Sequence, residues 1–336
     1  MSPDPTFALS APDRLGVLSS TLPVAREGAW VRLDAAAAAA LARRFAAAAP
    51  PAHGEDAFHA TFLPPRCFLN YLLVLEALNF CFWDDAPRWR VRHGGGLHDG
   101  YWALAAALHR ALTEDGTPLW DADWMAGLTA PALAHLLRGE GRPPPLLAER
   151  LAHVREAGAV LRARWGGWFA NLVAACGGDA VALVERIVAE FPSFRDVAAW
   201  QGRPVRFYKR AQICAADLAR LLGHDPAGRL HGLEHLTAFA DYKVPQVLRA
   251  EGVLVPAPAL AARIDRGEEL PAGSPEEVAL RAATVWGCEW IARALHPLRG
   301  ADGRRPTAAE VDFLLWSAGQ RAEGMPPYHR TRTVFY

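Results

Sequence analysis

Apolar positions along this chain recur at close to the helical period of 3.6 residues far more often than they alternate. The spacing predicts helices over about 101–112, 145–164, 167–176, 179–190, 210–222, 230–244, 275–297 and 307–319. An earlier run, "PPRCFLNYLLVLEALNFCFW", opens on prolines that suit a first helical turn and continues apolar at helical spacing. Asp34 is set to cap the alanine-rich segment after it, and Ser274, Pro275 and Glu277 form a capping-box pattern. Strand signals are scarce: "RWRVRHGGG" alternates and closes on glycines, and the terminal "HRTRTVFY" reads as extended. No internal repeat is visible, and the only linker-like composition is the proline cluster at 143–145. The pattern implies an all-α fold with minor short strands, a single domain over 1–336 whose two halves form lobes around a central cleft.

Composition narrows the partners. With 36 Lys plus Arg against 36 Asp plus Glu, the 336-residue chain has no excess charge from which to build the wide basic surface that holds a long polyanion. The longest alanine-rich stretch, "AAAAAALARRFAAAA", is broken by charge and falls short of the roughly 20 apolar residues that cross a bilayer. The start, "MSPDPTFALSAPDRLG", lacks a basic region followed by an apolar one, so a cytoplasmic protein is expected. Five cysteines, odd in number and without a CxxC pair, read as reduced core residues.

Four stretches stand out chemically. In "HLTAFADYKVPQVLRAEG", Pro245 has no amide hydrogen to give the carbonyl of Asp241, so the helix is expected to break at about Lys243 or Val244. That reading puts Asp241 at the negative end of a helix, a poor place for stability and therefore a candidate for function. "GRPVRFYKRAQI" crowds Arg203, Arg206, Lys209 and Arg210 before a helix; Arg206 and Lys209, with Tyr208 between them, suit one phosphate better than a duplex, although such a cluster is commonly a solvated face. In "LNFCFW", core packing is the better account of Phe82, but Asn79 must be satisfied inside the fold or read a ligand edge beside the planar aromatics. Asp312, in "VDFLLWSAG", fits the first turn of a helix and becomes functional if it faces the same cleft as Asp241. A further segment, "HGLEH", matches H-x-x-E-H, in which His231 and His235 one helical turn apart would bind zinc; a surface helix accounts for it better.

Taken together, "LNFCFW", "DGYWALAAALHRAL", "FPSFRD", "RFYKRAQI", "LTAFADYKVPQVL", "VDFLLW" and "PYHRTRTVFY" resemble the queuosine salvage proteins, from about residue 70 to the last. The departures are Lys243 and Val244, where the family has Arg and often Leu, and Cys81, where serine is common. The resemblance implies a helical fold similar to DNA glycosylases. The implied reaction is hydrolysis of queuosine 5′-monophosphate to ribose 5-phosphate and queuine, a base recovered for tRNA modification. No metal or cofactor is implied.

On that resemblance Asp241 is the catalytic acid and Lys209 the phosphate ligand, helped by Tyr208 or Arg206. Asp312 is a second acid or a binding group. Asn79, Phe80 and Trp83 would hold the base, with Tyr242 and Trp316 also assigned to base and ribose; His329 and Arg330, from the aromatic C-terminus, would line the site. A monomer acting on a small nucleotide, with no polymer or membrane partner, is expected. The rival classes are a DNA-glycosylase-like enzyme, which needs a basic duplex surface, and a non-enzymatic helical binding protein.

Overall fold

The computed structural model describes residues 7–9, 12–47, 58–299, 305–321 and 324–336. Fourteen α-helices lie among them, joined by loops and by three two-stranded antiparallel sheets, so the fold is all-α with minor strands. The chain divides into two compact units interleaved in sequence. One takes Met1–Pro51, Asp196–Gln212 and Gly232–Arg332; the other takes Ala52–Arg195, Ile213–His231 and Thr333–Tyr336.

The first unit is built on the helix Pro275–Arg299, whose residues from Val278 to Ala292 are almost all buried. An element enclosed on every side needs no polar face, which is why this segment is apolar beyond a single stripe. Ser274 accepts from the Glu277 amide at 3.3 Å, and the Glu277 carboxylate reaches back to the Gly273 amide at 3.1 Å, so the expected capping box forms with its return bond shifted by one residue. Asp34 likewise accepts from the Ala37 amide at 2.8 Å and caps the helix Ala35–Ala47. Two sheets in this unit, Val31–Leu33 with Leu254–Pro256 and Val197–Trp200 with Arg203–Arg206, were not expected. Three or four residues give too short a run for period-2 alternation, and the first pair joins segments more than two hundred residues apart.

In the second unit the helix Pro65–Leu78 is buried continuously from Phe68 to Leu78. Its one amide in the middle, Asn70, is fully satisfied: it donates to the carbonyls of Trp120 and Gly167 at 2.7 and 2.9 Å and accepts from the Phe169 amide at 2.7 Å. The expected strand forms as Arg90–His93, and it pairs with Gly96–Asp99 in a hairpin whose Gly94 and Gly95 take the positive φ of 57° and 78° that a tight two-residue turn requires.

The terminal "HRTRTVFY" is extended but is not a strand: it makes one isolated bridge, Arg330 with Glu269, within the first unit. The last residue is nonetheless fixed, because the Tyr336 carbonyl accepts from the Cys81 amide at 2.8 Å in the second unit.

Candidate active site

The expected helix over 230–244 does not exist. Residues 233–235 form a single 3-10 turn, 236–241 are non-helical, and the helix begins at Lys243 and runs to Ala250. Pro245 is therefore the third residue of a helix, where its missing amide hydrogen has no intrahelical acceptor to lose. The polarity at Asp241 is accordingly reversed. Its Oδ1 accepts from the amides of Lys243 and Val244 at 2.8 and 2.9 Å, so the carboxylate caps the positive end of a helix rather than burdening the negative end of one. The same finding removes the geometry behind "HGLEH", since His231 and His235 do not lie one turn apart on an α-helix.

Asp312 lies in the helix Ala308–Arg321, one residue beyond its first turn, and is buried. Its Oδ1 accepts from the Phe239 amide at 2.9 Å, which ties it to the segment that delivers Asp241 two residues later. About two turns along the same helix is Gly319. A Cβ there would meet Val247 Cγ2 at 2.7 Å, so only glycine lets this helix approach the helix Lys243–Ala250 so closely.

Lys209 is the first residue of the helix Lys209–Leu222, and it too is buried. It interacts electrostatically with both acids. Burial raises the carboxyl of Asp241, while the Lys209 charge, the two capping amides and the Lys243 charge pull it back. Burial and the neighbouring Asp241 charge push Asp312 well above the carboxylate range, against the Phe239 amide and Lys209. Of these two buried acids beside one lysine, Asp312 is thus the readier to hold a proton.

The main chain beneath Lys209 and Asp241 is organised by a pair that the sequence reading passed over. Asp196 and Arg281 are both buried and joined by two bonds of 2.9 and 2.6 Å. Asp196 also accepts from the Lys209 amide at 3.2 Å through its carboxylate, and from the amides of Phe207 and Tyr208 at 3.0 and 3.2 Å through its carbonyl. Arg281 donates to the Ala240 carbonyl at 3.0 Å, and its guanidinium lies 3.9 Å from the Phe207 ring centroid. The available signal was Arg281, the one charged residue between Val278 and Cys288, with Glu277 four positions before it.

The description "Queuosine salvage protein" belongs to a family whose profile matches residues 62–336. This chain belongs to the queuosine salvage family. The protein named Queuosine 5′-phosphate N-glycosylase/hydrolase in Sphaerobacter thermophilus is 50% identical over 327 residues, covering 96% of this chain and 98% of its own. Proteins of the same name in Bos taurus and Mus musculus are 36% and 35% identical over 278 and 277 residues, each covering 80% of this chain and 81% and 82% of their own.

Within this family member, the remaining predicted residues separate by surroundings. Tyr208 is half-buried with a left-handed φ of 51°, a conformation that costs about 1–2 kcal/mol in a non-glycine residue and is held here by its amide bond to Asp196. Arg206 directs its guanidinium towards Gly16, where a Cβ would meet Nη1 at 2.6 Å. Tyr242 is buried with its ring centroid 5.0 Å from that of Tyr328, whose face also carries the Lys243 ammonium at 5.2 Å. Trp316, half-buried, follows Asp312 by four residues on one helix. His329 is buried, and that burial together with the Arg281 charge pushes its imidazole down to about 3. Arg330 packs on the Gly267 turn, with its guanidinium carbon 3.5 Å from where a Gly267 Cβ would stand.

In the second unit Asn79 is the C-cap of the helix Pro65–Leu78, and its Nδ2 donates to Glu76 at 3.0 Å. Trp83 is buried. Phe80 is fully buried, with its ring 4.3 Å from the Arg150 guanidinium and 5.2 Å from His153. Arg150 shapes this whole segment, donating to the carbonyls of Leu78, Phe80 and Cys81 at 2.5, 2.5 and 2.9 Å, and Cys81 takes a left-handed φ of 45° between them.

Proposed function

We propose that this protein hydrolyses the N-glycosidic bond of queuosine 5′-monophosphate, releasing queuine and ribose 5-phosphate. The observation that carries the proposal is the meeting of Asp241, Asp312 and Lys209 in one buried electrostatic cluster, in a chain half identical to a relative named for that reaction.

Breaking the bond leaves positive charge on the ribose, so the transition state favours a fixed anion near C1′. Asp241 is read as that anion: burial raises its carboxyl, and the Lys209 charge and two main-chain amides oppose that rise. It orients a water and takes its proton while the water oxygen bonds to C1′. The electron pair of the broken bond leaves with the base, which needs a proton; Asp312 is read as its donor, since burial and the Asp241 charge favour its neutral form. Lys209, whose side chain emerges at the positive end of a helix, is read as the ligand of the 5′-phosphate. Tyr208 and Arg206 assist it, while Tyr242, Trp316, His329 and Arg330 are assigned to ribose and base. The assignment of Asn79, Phe80 and Trp83 to the base rests on residue type, an amide beside planar aromatics being suited to read a heterocycle by edge and face.

The enzyme is read as a cytoplasmic monomer that acts as one domain over the whole chain. No helix among the described residues is long and apolar enough to cross a membrane. The neutral charge balance argues against the alternative of a duplex substrate.

The test is incubation of the purified protein with queuosine 5′-monophosphate, following free queuine by chromatography, with Asp241→Asn alongside. Release by wild type and a fall of at least 10³-fold in a folded Asp241→Asn is the expected outcome. No release by wild type would overturn the reading.

A further inference from the structure

We propose that the buried Asp196–Arg281 ion pair is a positioning device that sets Lys209 and Asp241 in register with each other. The proposal rests on the roles given to those two residues above. The geometry is that of a clamp. One end, Asp196, holds the amide of Lys209 through its carboxylate and the amides of Phe207 and Tyr208 through its carbonyl. The other end, Arg281, holds the Ala240 carbonyl, one residue before Asp241, and covers the Phe207 ring. The two ends are joined by a bidentate bond of 2.9 and 2.6 Å.

Stability alone does not call for such a pair. Two buried charges lose their hydration, and apolar residues of similar size commonly do as well. What an apolar pair cannot do is tie two main-chain groups on separate segments, the Lys209 amide and the Ala240 carbonyl, to each other through its side chains. A guanidinium is suited to this because its five donors are rigidly forked: here Nη1 and Nη2 face the carboxylate while Nε faces the carbonyl. Neither Asp196 nor Arg281 is given a chemical role; both act through the residues they hold.

The pair is tested with Asp196→Asn and Arg281→Lys, each compared with wild type in two measurements. The first is turnover of queuosine 5′-monophosphate. The second is binding of ribose 5-phosphate by titration calorimetry, where stoichiometry counts the folded fraction and Kd is independent of it. Arg281→Lys keeps the charge but loses the fork, and its kcat is expected to fall about 10- to 100-fold, the cost of a displacement of the order of an ångström. Asp196→Asn turns one acceptor oxygen into a donor, so it cannot keep both bonds to Arg281 together with the bond to the Lys209 amide, and its Kd for ribose 5-phosphate is expected to rise at least about fivefold, with kcat falling as well.

Two results overturn the proposal. One is folded variants whose kcat and Kd both stay within about twofold of wild type. The other is a fall in kcat matched by a fall in stoichiometry with Kd unchanged, which is what a purely structural role gives. If wild type binds ribose 5-phosphate but releases no queuine, the functional reading fails, and the Kd of Asp196→Asn still decides whether the pair positions Lys209.

Discussion

His329 gives the most quantitative consequence of this structure. Its imidazole is 3% exposed, and burial beside the Arg281 charge lowers it to about 3. In the unfolded chain the same ring titrates at about 6.5. As pH falls below that value the unfolded state gains a proton that the folded state refuses, so stability is fully present above about 6.5 and is lost on acidification until the folded value is reached. The slope approaches about 1.4 kcal/mol per pH unit below that value, which amounts to about 2.5 kcal/mol between pH 7 and pH 4.5. His329→Gln keeps a polar side chain of similar reach and removes the titration.

Urea midpoints for wild type and variant at about pH 7 and pH 4.5 give a difference of differences in which every other titrating group cancels. Wild type should lose about 2.5 kcal/mol more than His329→Gln over that interval, whatever the variant costs at neutral pH. Equal losses within about 0.5 kcal/mol, or a His329 ring resonance titrating near 6.5 in the folded protein, would refute the reasoning.

Arg150 bonds the carbonyls of Leu78, Phe80, Cys81 and Pro145, so Arg150→Met should cost about 3–5 kcal/mol, read as a lower urea midpoint; a change under about 1 kcal/mol would show that the segment holds itself. Asp312 is raised, so its neutral form stabilises the fold at low pH and that contribution is lost as pH climbs through the folded value; Asp312→Asn should therefore gain stability relative to wild type between acidic and alkaline pH, and parallel melting curves against pH would contradict this. Removing the last nine residues takes away His329, Arg330 and the Tyr336 carbonyl that accepts from Cys81, and should abolish both cooperative melting and queuine release; a truncated protein that still melts and turns over normally would exclude a structural or site role for the tail.

Much of the fold was written in local chemistry. Period-3.6 apolar runs and capping residues such as Asp34 and Ser274 are properties of neighbouring positions, and the helices they signal are present within a residue or two at most ends. The glycines after "RWRVRH" likewise specify a turn by conformation alone. What misled was Pro245. A proline excludes a helical interior, but it is equally at home just inside a helix start, and the sequence around it did not choose between the two. That choice reversed the helix polarity at Asp241.

The candidate site divides along the same line. Residue types and order pointed to Asp241, Asp312 and Lys209, because an acid or a cation in an apolar setting needs a reason to be there. Their mutual approach depended on contacts that no short window contains: Gly319 against Val247, the Phe239 amide on Asp312, and Arg281 linking Asp196 to the Ala240 carbonyl. Asp196 and Arg281 are 85 residues apart, and neither shows in sequence whether its charge will be solvated or buried. The sequence alone determined the helical class, the capped ends, the family and the acids in play. Tertiary structure decided which end of a helix each acid faces and which protons they keep, because hydration, dipoles and neighbouring charges are set only when distant segments close around a side chain.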